Sequence, residues 1–398
     1  MRIGLFSDTY APDINGVVSS IVTLQHALEA LGHDVFVIAN QPRLFKRGYD
    51  GKILRLSGLE LKWMYGYTMT SPFQPSAVKT IRAMNLDIIH AHTEFGVGIY
   101  ARNVAKQLNL PLVSTYHTTY EDYTHYINPL HVRTVEKTLR KMVAKLSKYF
   151  SERGHAVIAP SGKTKSMLEG YGIACPIYVI PTGLDLKRFD KSASTPEAIT
   201  ALRHAMGVDE ETFVILFVGR LAEEKAIDLV IEGFSHVDRQ ALKAKLVIVG
   251  GGPDDHRLQA LAKSLHLDND VIFTGKKPSV EVPLYYHSAD AFVSASLTET
   301  QGMTFIEALA AECPLFARPD DVLTELVIEE KTGYYFTTPQ EFAAKIAHHV
   351  QKPLAERNAM KKAARAQVQV YDDREFGKAV AEVYQKTIDD YQKTDENL

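Results

Sequence analysis

Two glutamates, Glu299 and Glu307, stand eight residues apart in the stretch TETQGMTFIEALA, residues 298–310. The apolar run before it, ADAFVSAS, reads as a buried strand, and TFIEALAAE reads as a helix. The acids therefore flank a strand-to-helix turn, the usual place for a ligand in a parallel α/β sheet. Amides of Gly302, Met303 and Thr304 open that helix and favour a phosphate. Carboxylates beside a phosphate pocket make chemical sense as acceptors for nearby hydroxyls, a sugar on one side and a ribose on the other. Glu307 also has a purely structural reading, because Thr304 and Glu307 match the spacing of a helix capping box. Glu299 lies in the loop and has no such reading.

Cations occur at matching places. In VGRLAEEKAIDLVIEGF a strand ends at Gly219, then Arg220 and Lys225 follow five residues apart. An arginine grips phosphate oxygens in pairs and a lysine acts as a point charge, so the two suit a diphosphate. A solvated loop with Glu223 and Glu224 as local partners is the alternative. Gly250, Gly251 and Gly252 lie between a strand and a helix in LVIVGGGPDDHRLQALA and permit close approach of backbone to a ligand. Near the N-terminus, Asn15 and Gly16 precede a helix and offer its amides to an anion, or simply form a turn. His117 ends a strand and points to a cleft, while His90 reads as a satisfied structural histidine. The segment YHTTYEDYTHYI holds His117, Glu121, Asp122 and His125, residue types that ligate metals, but the helical H-E-x-x-H spacing is absent. The expectation is that no metal is bound.

The elements that position these residues alternate along the chain. RIGLFSD, DVFVIAN, DIIHAH, PLVSTYH, HAVIAPS and IYVIPTG read as strands, with helical patterns between them. After a polar stretch, DKSASTPEA, that reads as a linker, the alternation restarts with FVILFVGR, KLVIVGGGP, VIFTG, AFVSAS and CPLFAR. This is an α/β chain with two Rossmann-like, doubly wound parallel-sheet domains facing a central cleft. The expected boundaries are 1–190, 191–374, and a C-terminal helix over 375–398 that returns to the first domain. No G-x-G-x-x-G follows the first strand, which weakens a dehydrogenase reading.

Composition narrows the rest. The 398 residues carry 45 basic and 48 acidic side chains, so nothing in the balance calls for nucleic acid. Two cysteines, Cys175 and Cys313, exclude a disulfide framework and indicate a reducing compartment. The N-terminus does not read as a signal peptide, and no apolar run is long enough to cross a membrane. One segment departs from this neutrality. Between His131 and Arg153 seven Lys or Arg face two Glu, with apolar residues at helical spacing. A basic amphipathic helix with Arg133, Lys137, Arg140, Lys141, Lys145 and Lys148 suits an anionic membrane surface. A core-packed helix with a solvated basic back is the alternative. LFKRGYDGK and ELKWMYGYTMTSPF, with Trp63, add basic and aromatic material that suits an interfacial belt or a lid loop.

TETQGMTFIEALA resembles the E-x7-E signature of the retaining family-4 glycosyltransferases, and VGRLAEEKAIDLVIEGF, LVIVGGGP, IPTGLD, DIIHAHTEFG and DTYAPDINGVVSSI extend the resemblance over essentially the whole chain. TYHTTYEDYTHYI with ETQGMT further resembles the bacterial diacylglycerol glucosyltransferases. The resemblance implies the GT-B fold, a UDP-glucose donor, a diacylglycerol acceptor and metal-independent transfer by a peripheral enzyme on the inner face of the cell membrane. It implies that Gly16 approaches the donor phosphate, that His117 contacts the transferred sugar, and that Arg220 and Lys225 hold the diphosphate. Glu299 would bind sugar hydroxyls and Glu307 the ribose, with Gly302, Met303 and Thr304 facing the diphosphate and Lys276 near the uracil. Two departures stand out: Glu299-Thr-Gln-Gly302 where many relatives have E-G-F-G, and Glu312-Cys-Pro where many have Gly-Val-Pro. A different UDP-sugar, a soluble or polymeric acceptor, a nucleotide-sugar epimerase and a non-catalytic membrane-binding module remain as rival readings.

Overall fold

The computed structural model describes residues 1–13, 15–41, 48–61, 67–71, 74–117 and 133–395. The chain divides into two compact units, Met1–Gly183 with Asp373–Leu398, and Leu184–Asp372. Trp63 and the segment 118–126, with its candidate metal ligands Glu121, Asp122 and His125, lie outside the described residues.

The first unit holds strands β1 (Arg2–Ser7), β2 (Asp34–Gln41), β3 (Gly48–Tyr49), β4 (Ile53–Leu61), β5 (Tyr67–Thr70), β6 (Ile88–Ala91), β7 (Leu112–Thr115), β8 (Ala156–Ala159) and β9 (Ile177–Val179). Among the described residues they form one sheet in the order β3-β4-β2-β1-β6-β7-β8-β9, with β5 on β4. Strands β1, β2 and β6 to β9 are parallel and read as near-continuous apolar runs because helices cover both faces. Where the sequence reading has only an interfacial belt or a lid loop in LFKRGYDGK and ELKWMYGYTMTSPF, the described residues from 48 to 70 form β3, β4 and β5. Alternation in ILRLSGLEL explains this, since Leu54 and Leu56 are buried.

The C-terminal helix Asp373–Asp395 packs on the helix Gly16–Ala30. Val380, Val383 and Tyr384 join Ile21, Leu24 and Leu28 in one core, and a Cβ at Gly377 would lie 2.7 Å from the Cβ of Ala27. His90, fully buried on β6, clamps this helix from below. Its Nδ1 lies 2.6 Å from the Tyr384 hydroxyl and its Nε2 2.7 Å from Thr115 Oγ1. Burial pushes its pKa down to about 3, so the ring is neutral and structural.

The second unit holds β10 (Phe213–Val218), β11 (Ala244–Val249), β12 (Val271–Gly275), β13 (Ala291–Ser294), β14 (Leu315–Ala317) and β15 (Gly333–Tyr335). Among the described residues these form a parallel sheet in the order β12-β11-β10-β13-β14-β15. The division between units falls at Gly183/Leu184 rather than at 190/191, because Leu184, Leu186 and Phe189 are buried in the core of the second unit. The polar stretch 190–198 is not a loose linker either. Thr195 caps a helix, Pro196–Ala205, by accepting from Ala198 N, with Pro196 at its first position and Glu197 in its first turn.

Candidate active site

In the second sheet β10 and β13 are neighbours, and the chain order runs outward from them in opposite directions. Ligands of open α/β sheets bind outside the carboxyl ends of strands at such a reversal. The turn after β10 carries Arg220, exposed, and Lys225, which ends a short 3-10 turn, Glu223–Lys225. The loop after β13 carries Glu299. Lys225 Nζ donates to Glu299 Oε1 at 2.6 Å, with the side chains 22% and 14% exposed. The cation and the acid that sequence reasoning assigned to separate ligand groups are thus joined across the reversal point. A pair this sheltered is worth more than a surface ion pair, because less water screens it.

The helix after Glu299 is Met303–Ala310. Gly302 precedes it at φ 79, a left-handed conformation that favours glycine, and no side chain caps the helix. Its first-turn amides therefore lack a side-chain acceptor, as an anion site requires. The capping-box reading of Glu307 fails, because Thr304 is inside the helix and not at its cap. Glu307 Oε2 instead accepts from the Tyr286 hydroxyl at 2.9 Å, and that hydroxyl also lies 3.2 Å from Thr304 O. Burial raises the Glu307 carboxyl to about 7, against the opposing pull of the Tyr286 bond and the Arg188 charge. Tyr286 is fully buried and its own pKa is pushed well up, so the phenol stays a donor.

The three glycines after β11 serve a different purpose from the one the sequence suggested. A Cβ at Gly250 would lie 1.8 Å from Gly219 O, and one at Gly252 would lie 2.2 Å from Leu221 O. Their close approach is to the turn carrying Arg220, which the Leu221 N to Gly251 O bond of 3.3 Å ties down. Gly251 faces the stem of Lys276, whose Cγ would be 2.9 Å from an added Cβ. Lys276 itself is exposed, in the loop after β12.

Two predicted residues belong to the first unit. Gly16 begins the helix Gly16–Ala30, and Asn15 caps it by accepting from Val18 N at 3.0 Å. The Val18 amide is thereby used, which narrows the expected anion site to the earlier amides. A Cβ at Gly16 would meet nothing within 4 Å among the described residues. Gly16→Ala should therefore raise stability by up to about 1 kcal/mol through the unfolded chain. If a donor phosphate approaches here, the same change lowers kcat/KM by about 10–100-fold through misplacement; thermal melts and steady-state kinetics check both halves. His117 lies just past β7, half-buried, its Nε2 2.9 Å from His92 Nδ1. Burial lowers its pKa to about 4.

The basic helix is Arg133–Ser151. The side chains of Arg133, Lys137 and Arg140 lie outside the described part. Lys141 and Lys145 are exposed beside Met142 and Tyr149, and the Arg153 guanidinium stacks 3.9 Å from the Tyr149 ring centroid. Lys148 is 3.5 Å from Glu152. Ser147 and Phe150 are buried on the other face, so the helix has a packed side and a basic side that also shows two large apolar groups.

Known proteins place this geometry. The model of "Glycosyltransferase Family 4" matches residues 14–188, and that of "Glycosyl transferases group 1" matches 199–367. An alpha-monoglucosyldiacylglycerol synthase of Acholeplasma laidlawii is 37% identical over 355 residues, 89% of each chain. Its namesake in Streptococcus pneumoniae is 35% identical over 347 residues, 87% of this chain and 77% of that one. This chain belongs to the group 1/family 4 glycosyltransferases. Anabaena HepE, solved with UDP-glucose, has the same fold, with a TM-score of 0.73 at 19% identity over 96% of this chain and 99% of that one. The glycosyltransferase has the GT-B fold.

Within that family, Glu312 becomes intelligible. It has φ 62, the left-handed conformation for which a glycine is the low-strain residue, and Lys191 holds its carboxylate at 2.6 Å. Sequence reasoning did not pick out Tyr286 as the partner of Glu307, and named His92 only as ending the strand beside that of His117. The signal for His92 was present: residues two apart on a strand face the same way, so His90 and His92 should stack. Their ring centroids are 4.0 Å apart. Nothing in the sequence announced Tyr286.

Proposed function

We propose that this glycosyltransferase moves glucose from UDP-glucose to the hydroxyl of a 1,2-diacylglycerol, with retention, at the inner face of the cell membrane. One observation carries the reading: 37% identity to an alpha-monoglucosyldiacylglycerol synthase over 89% of both chains. An α-linked product from an α-linked nucleotide sugar is a retaining outcome. Solved neighbours that hold UDP and UDP-glucose support the donor. Arg220, Lys225 and the amides at Met303 and Thr304 are the charges and dipoles that would meet the leaving diphosphate, which supports transfer without a metal. Front-face departure and attack, with a phosphate oxygen assisting the acceptor hydroxyl, needs no carboxylate nucleophile; trapping a covalent glycosyl-enzyme would overturn that step.

The membrane part rests on the basic face. No helix among the described residues is long and apolar enough to cross a membrane. Lys141 and Lys145 beside Met142 and Tyr149 combine attraction to anionic headgroups with apolar groups for the interface. Each basic residue near such a surface contributes about 1 kcal/mol. Reversing Lys141, Lys145 and Lys148 to Glu should lower partitioning onto anionic liposomes by about 100-fold or more.

The test incubates labelled UDP-glucose, UDP-galactose or UDP-N-acetylglucosamine with diacylglycerol liposomes in EDTA, with and without anionic lipid. The expected result is label from UDP-glucose alone in a chloroform-soluble glycolipid, faster on anionic liposomes and lost in the triple reversal. Label from another donor changes the sugar. UDP release without labelled lipid overturns the acceptor, and activity only after divalent metal is restored overturns metal independence.

A further inference from the structure

We infer that Arg188 is a positioning residue for the nucleotide: it fastens the loop after β12, which carries Lys276, to the turn that also backs the holder of Glu307. The nucleotide part rests on the function proposed above; the brace itself does not. Every residue in the brace belongs to the second unit.

The brace starts from two neighbours on one short 3-10 turn, Leu186–Phe189. Asp185 caps that turn by accepting from Lys187 N at 3.2 Å, and Leu186 and Phe189 are buried beneath it. Phe189 holds one side. Its ring meets that of Tyr286 at 5.8 Å between centroids and 66° between planes. Its carbonyl oxygen lies 2.9 Å from His287 Nε2, and His287 Nδ1 lies 2.7 Å from Ser194 Oγ. Tyr286 in turn donates to Glu307 at 2.9 Å. Phe189 thus backs the phenol that holds the acid.

Arg188 holds the other side. Its Nη2 donates to Ser279 O at 2.7 Å and to Ser279 Oγ at 3.2 Å, across 91 positions of chain. Ser279 lies in the middle of the loop that follows Gly275, itself left-handed at φ 71. Lys276, Pro278 and Ser279 are exposed there and Val280 is 81% exposed, so burial does little to hold the loop. A turn bond from Glu281 N to Pro278 O, 2.9 Å, fixes its shape. Lys277 Nζ lies 5.9 Å from the ring centroid of Tyr285, on the same helix, Val282–His287, that Phe189 packs against. Arg188 fixes the place of the loop tip, through the stronger kind of hydrogen bond that a charged donor makes.

The same guanidinium acts on Glu307 through its charge. Burial raises that carboxyl to about 7, and the Tyr286 bond and the Arg188 charge oppose the rise. Arg365, on the helix Leu354–Gln367 packed against Met303–Ala310, is engaged with Asp190 and Ala310 O. Removing Arg188 therefore does two things at once. It releases the loop proposed to line the base, and it makes the acid proposed to hold the ribose harder to ionise.

Calorimetric titration of the full chain with UDP, GDP and inorganic pyrophosphate tests this on wild type, Arg188→Met and Arg188→Lys, with thermal melts alongside. Methionine keeps the stem and removes both the bonds and the charge. In Arg188→Met the affinity for UDP should fall by about 10-fold or more, the scale for a lost hydrogen bond to a charged group, while pyrophosphate binds within about twofold of wild type. The preference for UDP over GDP should fall with it. The pH at which UDP affinity is half lost should move above the wild-type value of about 7. Arg188→Lys, which keeps the charge, should return that pH to the wild-type value and recover part of the affinity. Unchanged UDP affinity and preference in Arg188→Met overturn the positioning role. So does an equal loss for UDP and pyrophosphate together with a fall in Tm, which is what a merely structural residue gives. An unmoved pH midpoint overturns the action on Glu307. A wild type that prefers GDP overturns the proposed donor instead, and the same variants then read the brace with the preferred nucleotide.

Discussion

Lys225→Met is expected to lower kcat by about 10²–10³-fold, the scale for removing one preorganised group that faces developing negative charge. Methionine keeps most of the unbranched stem and fills the same partly buried space, so packing changes little. Two effects add. The charge that would stabilise the departing diphosphate is gone. Glu299, held at 2.6 Å by that ammonium, also loses this ion pair in a sheltered place. The second effect is removable, which gives the prediction its sharper form. Glu299→Gln alone loses the ion pair and, under the proposed function, an acceptor for the sugar. The double variant should nonetheless be less damaged than the product of the single effects, since residues in contact couple by about 0.5–3 kcal/mol. Steady-state kcat and KM for the four proteins of the cycle measure this. A loss below about tenfold in Lys225→Met, or strict additivity across the cycle, would show that the pair does not act as a unit.

Glu307→Gln is the second large effect, and it is read in pH dependence. Burial holds the Glu307 carboxyl at about 7. If Glu307 holds the ribose, as the proposed function has it, the hydroxyls donate and the ionised carboxylate is the form that binds them. Below pH 7 the free enzyme must first lose a proton, and the affinity for UDP should fall by up to tenfold per unit as pH drops from 7 toward 5. Above about pH 8 the affinity levels off. The stability of the free enzyme runs the other way. A carboxyl whose folded pKa is raised retains its proton longer in the folded state, so its contribution is full below pH 4.5 and is lost as pH rises through about 7. Glu307→Gln should therefore bind UDP with a flat pH profile, weaker than wild type at pH 8 by about 10–100-fold for charge-assisted bonds lost. Its melting temperature at pH 8 should equal or exceed that of wild type. Calorimetric titration with UDP from pH 6 to pH 8.5 checks the first part. A pH-dependent variant, or a pH-independent wild type, would remove Glu307 from the ribose site.

Much of this protein was legible from its own sequence. Near-continuous apolar runs marked the parallel strands of both sheets, and alternation with helical patterns marked the doubly wound architecture, because side-chain periodicity is a local property. The residue types and spacing placed Arg220, Lys225 and Glu299 on turns at strand ends and Glu307 in the helix that follows Gly302. Local patterns also misled. The triple glycine invited a ligand, yet Gly250 and Gly252 make room for the neighbouring turn. Thr304 and Glu307 matched a capping box, yet the left-handed Gly302 begins the helix two residues earlier than that motif needs. DKSASTPEA looked like a linker because its polar residues were weighed by composition and its Thr-Pro-Glu cap signal was passed over.

What only the tertiary structure decided is which of these residues meet. Lys225 and Glu299 are 74 positions apart, and Tyr286 and Glu307 are 21 apart. His92 and His117 come together because β6 lies beside β7. Each pairing depends on strand order and on burial, which set both the contact and the pKa of the groups in it. Neither is written in spacing along the chain: strand order follows from which buried faces the whole fold can cover at once, and burial follows from that packing. The sequence thus determined the residue types and the turns that carry them; the sheet order and the surrounding core decided their partners and their charge states.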